Sequence, residues 1–314
     1  MFDKTNTWCF GRFQVDIPWE AEFRTQGGDF LVAEIESGRG KENFRAAVNA
    51  AVDKVKNETF ERGFKFERLV YPENDDKQII VSKADLYGDI AYGLSGFAMN
   101  QNKHESNHYY YFSATGYDIE KLDATIAVYQ AILSTVRYRH DSEVPAEAGF
   151  CIKDGFIPSD GSINMNEDAS LAFRLKDRPD VRIRVESSTL WVPEETLLER
   201  AKISKLNALL PGNKVKVIRQ QKRTVNGMDG EESLISGPSV GEVGTGYIFI
   251  WETQGEIGNT LKPGIHLKIT AGERVEDSSL SKEQVLALYE TVLKSLRFRP
   301  ASGTAPQPAP AAKP

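Results

Sequence analysis

The chain has 314 residues, 40% of them hydrophobic and 27% charged, and its 45 acidic against 39 basic side chains give a net charge of −6. That is the balance of a globular chain long enough for two domains, and its acidity argues against nucleic acid or an anionic membrane surface as the main partner. The apolar run Tyr247 to Trp251 is too short to span a bilayer.

Taken in chain order, short strands are expected at Phe13–Ile17 and Phe30–Ile35. A helix follows with Phe44, Val48, Val52 and Val55 on one face. Alternating strands come next, over Gln78–Val81, Ala91–Met99 and Tyr109–Thr115. Leu122, Ile126, Tyr129, Leu133 and Val136 then recur at helical spacing and close the first half. Asp141–Ala148, polar and carrying Pro145, is the expected join.

Beyond it, Val181–Val185 reads as a strand, and Pro193 as an early residue of a helix continuing through Leu197, Ala201 and Leu206. The last helix carries Val285, Leu288, Val292 and Leu296 on one face, and Ser281 with Gln284 reads as its capping box. The segment after Ala301 is rich in Pro and Ala and lacks the apolar content to pack, so it is expected to be disordered.

The two halves resemble each other. Ile132-Leu133-Ser134-Thr135-Val136-Arg137-Tyr138-Arg139 returns as Val292-Leu293-Lys294-Ser295-Leu296-Arg297-Phe298-Arg299. Trp8-Cys9-Phe10-Gly11-Arg12-Phe13 is matched by Phe150-Cys151-Ile152 with Gly155-Phe156-Ile157, and Leu86-Tyr87-Gly88 by Val225-Asn226-Gly227. The expected fold class is α+β: two tandem repeats of an α/β/α sandwich-like unit, each with a mostly antiparallel sheet and flanking helices. The expected domains are residues 1–142 and 143–300, with the tail at 301–314.

Three motifs resemble chemistry. His104-Glu105-Ser106-Asn107-His108 spells H-E-x-x-H, but zinc hydrolysis needs that spacing on a helix. Here a turn composition precedes it and Tyr109-Tyr110-Tyr111-Phe112 follows it as a strand, so a solvated hairpin loop is the better reading. Gly237-Pro238-Ser239-Val240-Gly241 spells G-x-S-x-G, but the strand Tyr247–Trp251 follows where a nucleophile elbow needs a helix. The run Lys214, Lys216, Arg219, Lys222 and Arg223 reads first as a strand with one wet face and second as a docking patch for an acidic protein. No catalytic, cofactor-binding or metal-binding residue is assigned, so the expectation is a binding protein, not an enzyme.

Cys9-Phe10-Gly11-Arg12-Phe13-Gln14-Val15-Asp16-Ile17-Pro18, with Gly149-Phe150-Cys151 and Gly155-Phe156-Ile157, resembles the domain openings of bacterial immunity proteins that neutralise lipase effectors of type VI secretion, the class paired with the fourth lipase family. The resemblance covers roughly residues 5 to 300. It implies an antitoxin that acts in the periplasm, although Met1-Phe2-Asp3-Lys4 has neither the basic nor the apolar region of a secretory signal, and a cytoplasmic location is the alternative. The implied partner is a cognate phospholipase, held 1:1 by a clamp of two domains. No motif assigns the contact residues. A periplasmic adaptor with another client is the alternative function, and a metal- or serine-dependent hydrolase the third. Cys9 and Cys151, too few for a disulfide scaffold, occupy matching positions, which leaves two readings open: two buried thiols, or a disulfide joining the halves.

Overall fold

The computed structural model describes residues 2–31, 33–72, 74–100, 107–162, 166–202, 215–238, 244–272 and 277–299. His104, Glu105, Leu206, Lys214, Ser239 and the tail from Ala301 lie outside them. The first half of the chain runs β1 (Thr5–Phe10), β2 (Phe13–Pro18), β3 (Ala21–Phe30), β4 (Ala33–Arg39), α1 (Lys41–Lys56), β5 (Lys65–Leu69), β6 (Lys77–Leu86), β7 (Asp89–Met99), β8 (His108–Asp118), α2 (Ile119–Thr135) and β9 (Arg137–Tyr138). The second runs β10 (Gly149–Ile152), β11 (Gly155–Pro158), β12 (Glu167–Leu175), β13 (Arg178–Ser188), α3 (Leu197–Arg200), β14 (Lys216–Lys222), β15 (Glu231–Gly237), β16 (Gly246–Thr253), β17 (Gly264–Ala271), α4 (Lys282–Ser295) and β18 (Arg297–Phe298). The fold is α+β and rich in antiparallel sheet.

Two compact units result, each gathered from several stretches of chain. One comprises residues 28–141 and 150–159, and the other residues 1–27, 142–149 and 160–314.

In the unit built on residues 28–141, the strand order is β4-β8-β7-β6-β5. Side chains on a strand alternate faces, and both faces of this sheet are covered. Phe97 packs on Phe44 of α1, with Ile80 and Met99 in the same cluster. Its neighbour Gly96 lies under Tyr129 and Leu133 of α2. A short sheet, β10-β11-β9, completes this unit. Arg139 Nη1 donates to the carbonyls of His140 (3.0 Å) and Asp141 (3.2 Å), Nη2 to that of Ile152 (3.3 Å) and Nε to that of Gly155 (3.3 Å).

The other unit has the order β14-β15-β16-β17-β13-β12, with residues 21–27 of β3 beside β12. Phe249 meets Tyr289 of α4 edge-on, at 5.7 Å between ring centroids. Its short sheet is β1-β2-β18, and Arg299 donates to the carbonyls of Pro145, Glu147 and Gly149. The capping box at α4 forms as expected: Ser281 Oγ accepts from the Gln284 amide, and the Gln284 side chain accepts from the Ser281 amide.

Three local expectations change. Phe30–Ile35 is not one strand. Phe30 pairs with Ala33 across a turn in which Leu31 has φ 55, and Leu31 is buried, so the turn carries no polar signal. Pro193 is not helical: α3 begins at Leu197, where Thr196 and Glu199 form a capping box. The turns at Tyr87-Gly88 and Asn226-Gly227 are not equivalent points in the strand order, since the first links β6 to β7 and the second lies between β14 and β15. They do share one geometry, with φ of 64 and 98 in the first and 48 and 82 in the second, the double left-handed form of a type I′ turn.

Candidate partner-binding surfaces

A protein that acts by binding needs exposed apolar side chains on a rigid support, because preorganised anchors lose little entropy on docking. Each unit carries such a patch. In the first, Leu86 and Asp89 face each other at the end of the β6–β7 ladder, and Tyr87 stands at its tip, 82% exposed. The Arg62 guanidinium lies over the Tyr87 ring at 3.6 Å, and Phe60, 76% exposed, belongs to the same turn, closed by Gly63 N–H to the Phe60 carbonyl. Ile90 and Ile119 extend the apolar surface, since Ala91 pairs with Asp118 beside them.

In the second unit, Trp191 is half-exposed and fixed by its indole N–H, which donates to Asn166 Oδ1 at 3.1 Å. Val192 and Ile257 are exposed nearby. Their loops are stitched by Gly258 N–H to the Leu190 carbonyl and by Gln254 Nε2 to the Glu194 carbonyl.

The basic run proves to be largely internal wiring. Lys216, Arg219 and Lys222 lie in β14, at one end of its sheet, as expected for a strand. Arg219 and Arg223 turn toward Glu232, which is fully buried, and Glu290, with contacts of 2.6 to 2.9 Å. Tyr289 Oη also donates to Glu232. Hydrogen bonds from Arg223 hold the Glu290 pKa down to about 2, with Arg219 assisting against partial burial. Two cations so engaged are poor docking groups. Lys216 and Lys222 remain exposed.

The reactive motifs gain no support. His108, expected in a solvated loop, is buried as the first residue of β8 and stacks on Tyr138 at 4.2 Å. The strands flanking Ser239 pair antiparallel with Gly237 opposite Gly246, the ends of a hairpin where an elbow needs strand then helix. Among the described residues no group of three or more His, Cys, Asp or Glu is placed to hold a metal. A cavity of about 210 Å³ beside Thr196, Lys222, Glu231 and Glu252 has its two glutamates engaged. Glu231 accepts from the Leu198 amide, and Glu252 pairs with Arg200 and His266. Burial works against the charged form of Glu252, but bonds from His266 and Arg200 outweigh it and lower its pKa. No described helix is long and apolar enough to cross a membrane.

Comparison with known families decides what these surfaces belong to. Residues 6–139 match the model of the Tle cognate immunity protein 4 N-terminal domain, and residues 143–301 match that of its C-terminal domain. The chain belongs to the Tle cognate immunity protein 4 family. Family membership agrees with the binding-protein expectation, since an immunity protein inhibits an effector without turning over a substrate. Among solved structures, this family member is similar to the apo immunity protein TplEi of the type VI secretion system of Pseudomonas aeruginosa, at 25% identity and a TM-score of 0.81, covering 96% of this chain and 100% of that one. The Tle4-Tli4 complex gives the same coverage with a TM-score of 0.81 at 24% identity. TplEi complexed with an "L" peptide gives 0.77 at 24% identity. No match was found among curated proteins.

Proposed function

We propose that this chain is an immunity protein that binds and inhibits a cognate type VI secretion lipase effector as a 1:1 complex, with contacts from both compact units. The observation that carries the reading is the pair of family matches over residues 6–139 and 143–301, which spans nearly all the chain. The exposed patches, one around Tyr87 and one around Trp191, support contacts from both units. Two grips on one target raise the effective concentration of each, which favours tight inhibition by a protein without catalytic groups. A lipase that attacks membrane lipid from outside the cytoplasm sets the site of action as the periplasm.

Two finer readings accompany it. Residues 1–142 and 143–300 are the products of a duplication. The orders β4-β8-β7-β6-β5 and β13-β17-β16-β15-β14, each followed by a helix and a short strand, support this. Cys9 and Cys151 form a disulfide. Both are buried, and no free cysteine is left among the described residues. In the loop-entropy account, closing so long a loop contributes on the order of 4 to 5 kcal/mol. Two free thiols in non-reduced protein from the periplasm would exclude the bond.

The test of function is a titration of a purified type VI secretion lipase effector of the fourth lipase family with this protein. Activity is expected to fall linearly to zero at one equivalent of inhibitor. An unchanged turnover rate at tenfold excess would refute the reading.

A further inference from the structure

We infer that Tyr87, at the tip of the β6–β7 hairpin, is the anchor that seats this protein on its effector, in an apolar pocket rimmed by basic side chains. The inference rests on the function proposed above and names the surface that performs it.

Tyr87 occupies a backbone conformation that tyrosine resists. Its φ of 64 brings Cβ toward the following carbonyl, a strain that Gly avoids and Asn tolerates. The same molecule shows the usual solution. At the other type I′ turn the residue is Asn226, and its side-chain amide donates to the carbonyls of Lys294 and Leu296 at 2.9 and 2.8 Å. There the turn residue serves the fold. At Tyr87 the ring is 82% exposed and its described stacking partner is Arg62, itself exposed. The hairpin would close as well on Asn-Gly, with Asp85 Oδ1 still accepting from the Gly88 amide. Strain held at an exposed aromatic whose described packing is one contact with an exposed arginine is the pattern of a functional residue.

The surroundings specify the partner. Phe60, Ile90 and Ile119 widen the tip into an apolar patch. Around it stand Glu61, Asp85, Asp89 and Asp118 against Arg62 and Lys121, all exposed, so the rim is net negative. The complementary surface is apolar at its centre with Lys or Arg at its edge. An anionic lipid headgroup is the wrong sign for this rim, and a second copy would oppose acid to acid. Arg62 covers one face of the ring, which leaves the other face and the hydroxyl for the partner.

The experiment compares the full-length wild type with Tyr87→Asn and Tyr87→Phe. Each is titrated against the purified lipase, with affinity by calorimetry, inhibition by substrate turnover and folding by urea denaturation. Tyr87→Asn is expected to weaken binding at least tenfold while its urea midpoint stays at or above that of wild type. Tyr87→Phe, which keeps the ring, is expected to stay within about threefold. Tyr87→Asn that binds and inhibits like wild type overturns the inference alone. A wild type that leaves the lipase fully active overturns the proposed function and this inference together. Flotation with phosphatidylglycerol vesicles, or self-association on gel filtration, that Tyr87→Asn abolishes without changing lipase affinity would assign the patch elsewhere and also overturn it.

Discussion

Arg12 and Glu167 are both almost completely buried, and the guanidinium grips the carboxylate through Nε at 2.7 Å and Nη2 at 2.6 Å. Burial raises the Glu167 pKa, and the bonds from Arg12 only partly oppose it. The pair therefore adds little net stability, yet Glu167 without the Arg12 guanidinium would be a buried carboxylate that has lost its ion-pair partner. Arg12→Ala is expected to cost about 3–5 kcal/mol in urea denaturation, and Arg12→Met with Glu167→Leu much less. Glu290 behaves in the opposite sense. Its depressed pKa means that the folded state binds its proton less readily than the unfolded chain does. Its contribution is thus complete above the ordinary value of 4.5 and is lost as pH falls from there to about 2. Wild type is expected to lose on the order of 2 kcal/mol across that window relative to Glu290→Gln, measured as the difference between their urea midpoints at pH 6 and pH 2.5.

At the scale of single elements, turns and close approaches carry the specificity. Asn226 combines a left-handed φ with two bonds to the C-terminal carbonyls around α4. Asn226→Ala loses both and is expected to lower stability by about 1–2 kcal/mol in thermal unfolding. Gly96 lets α2 sit close on β7, since a Cβ there would come within 2.8 Å of the Tyr129 ring. Gly96→Val is expected to cost about 1–3 kcal/mol through the displaced helix, checked by calorimetric unfolding. Spacing alone revealed the helix faces. Phe44, Val48, Val52 and Val55 do meet the core cluster, because a 3.6-residue period has one way to bury an apolar stripe. It could not reveal the turn at Leu31, where a buried apolar residue holds a positive φ.

At the scale of the whole molecule, the compact unit built on residues 28–141 also takes in residues 150–159. Phe150 packs on Phe30 at 5.2 Å, and Ile152 and Gly155 supply carbonyls to Arg139. A fragment of residues 1–142 lacks these groups, so Arg139 and the β9 edge lose their partners. It is expected to show no cooperative thermal transition by circular dichroism, whereas the full chain shows one.

The sequence by itself determined the α+β class, the amphipathic faces of α1, α2 and α4, the capping box at Ser281 and, through its two openings, the family. All of these depend on local spacing or on residues close together in the chain, which periodicity and motif record directly. Only the tertiary structure decided which stretches gather into each compact unit, that Arg219 and Arg223 are spent on Glu232 and Glu290, and that Tyr87, Phe60 and Trp191 face solvent. An aromatic residue is by default a core residue. Its exposure depends on what the rest of the chain fails to place over it, and that is settled by long-range packing.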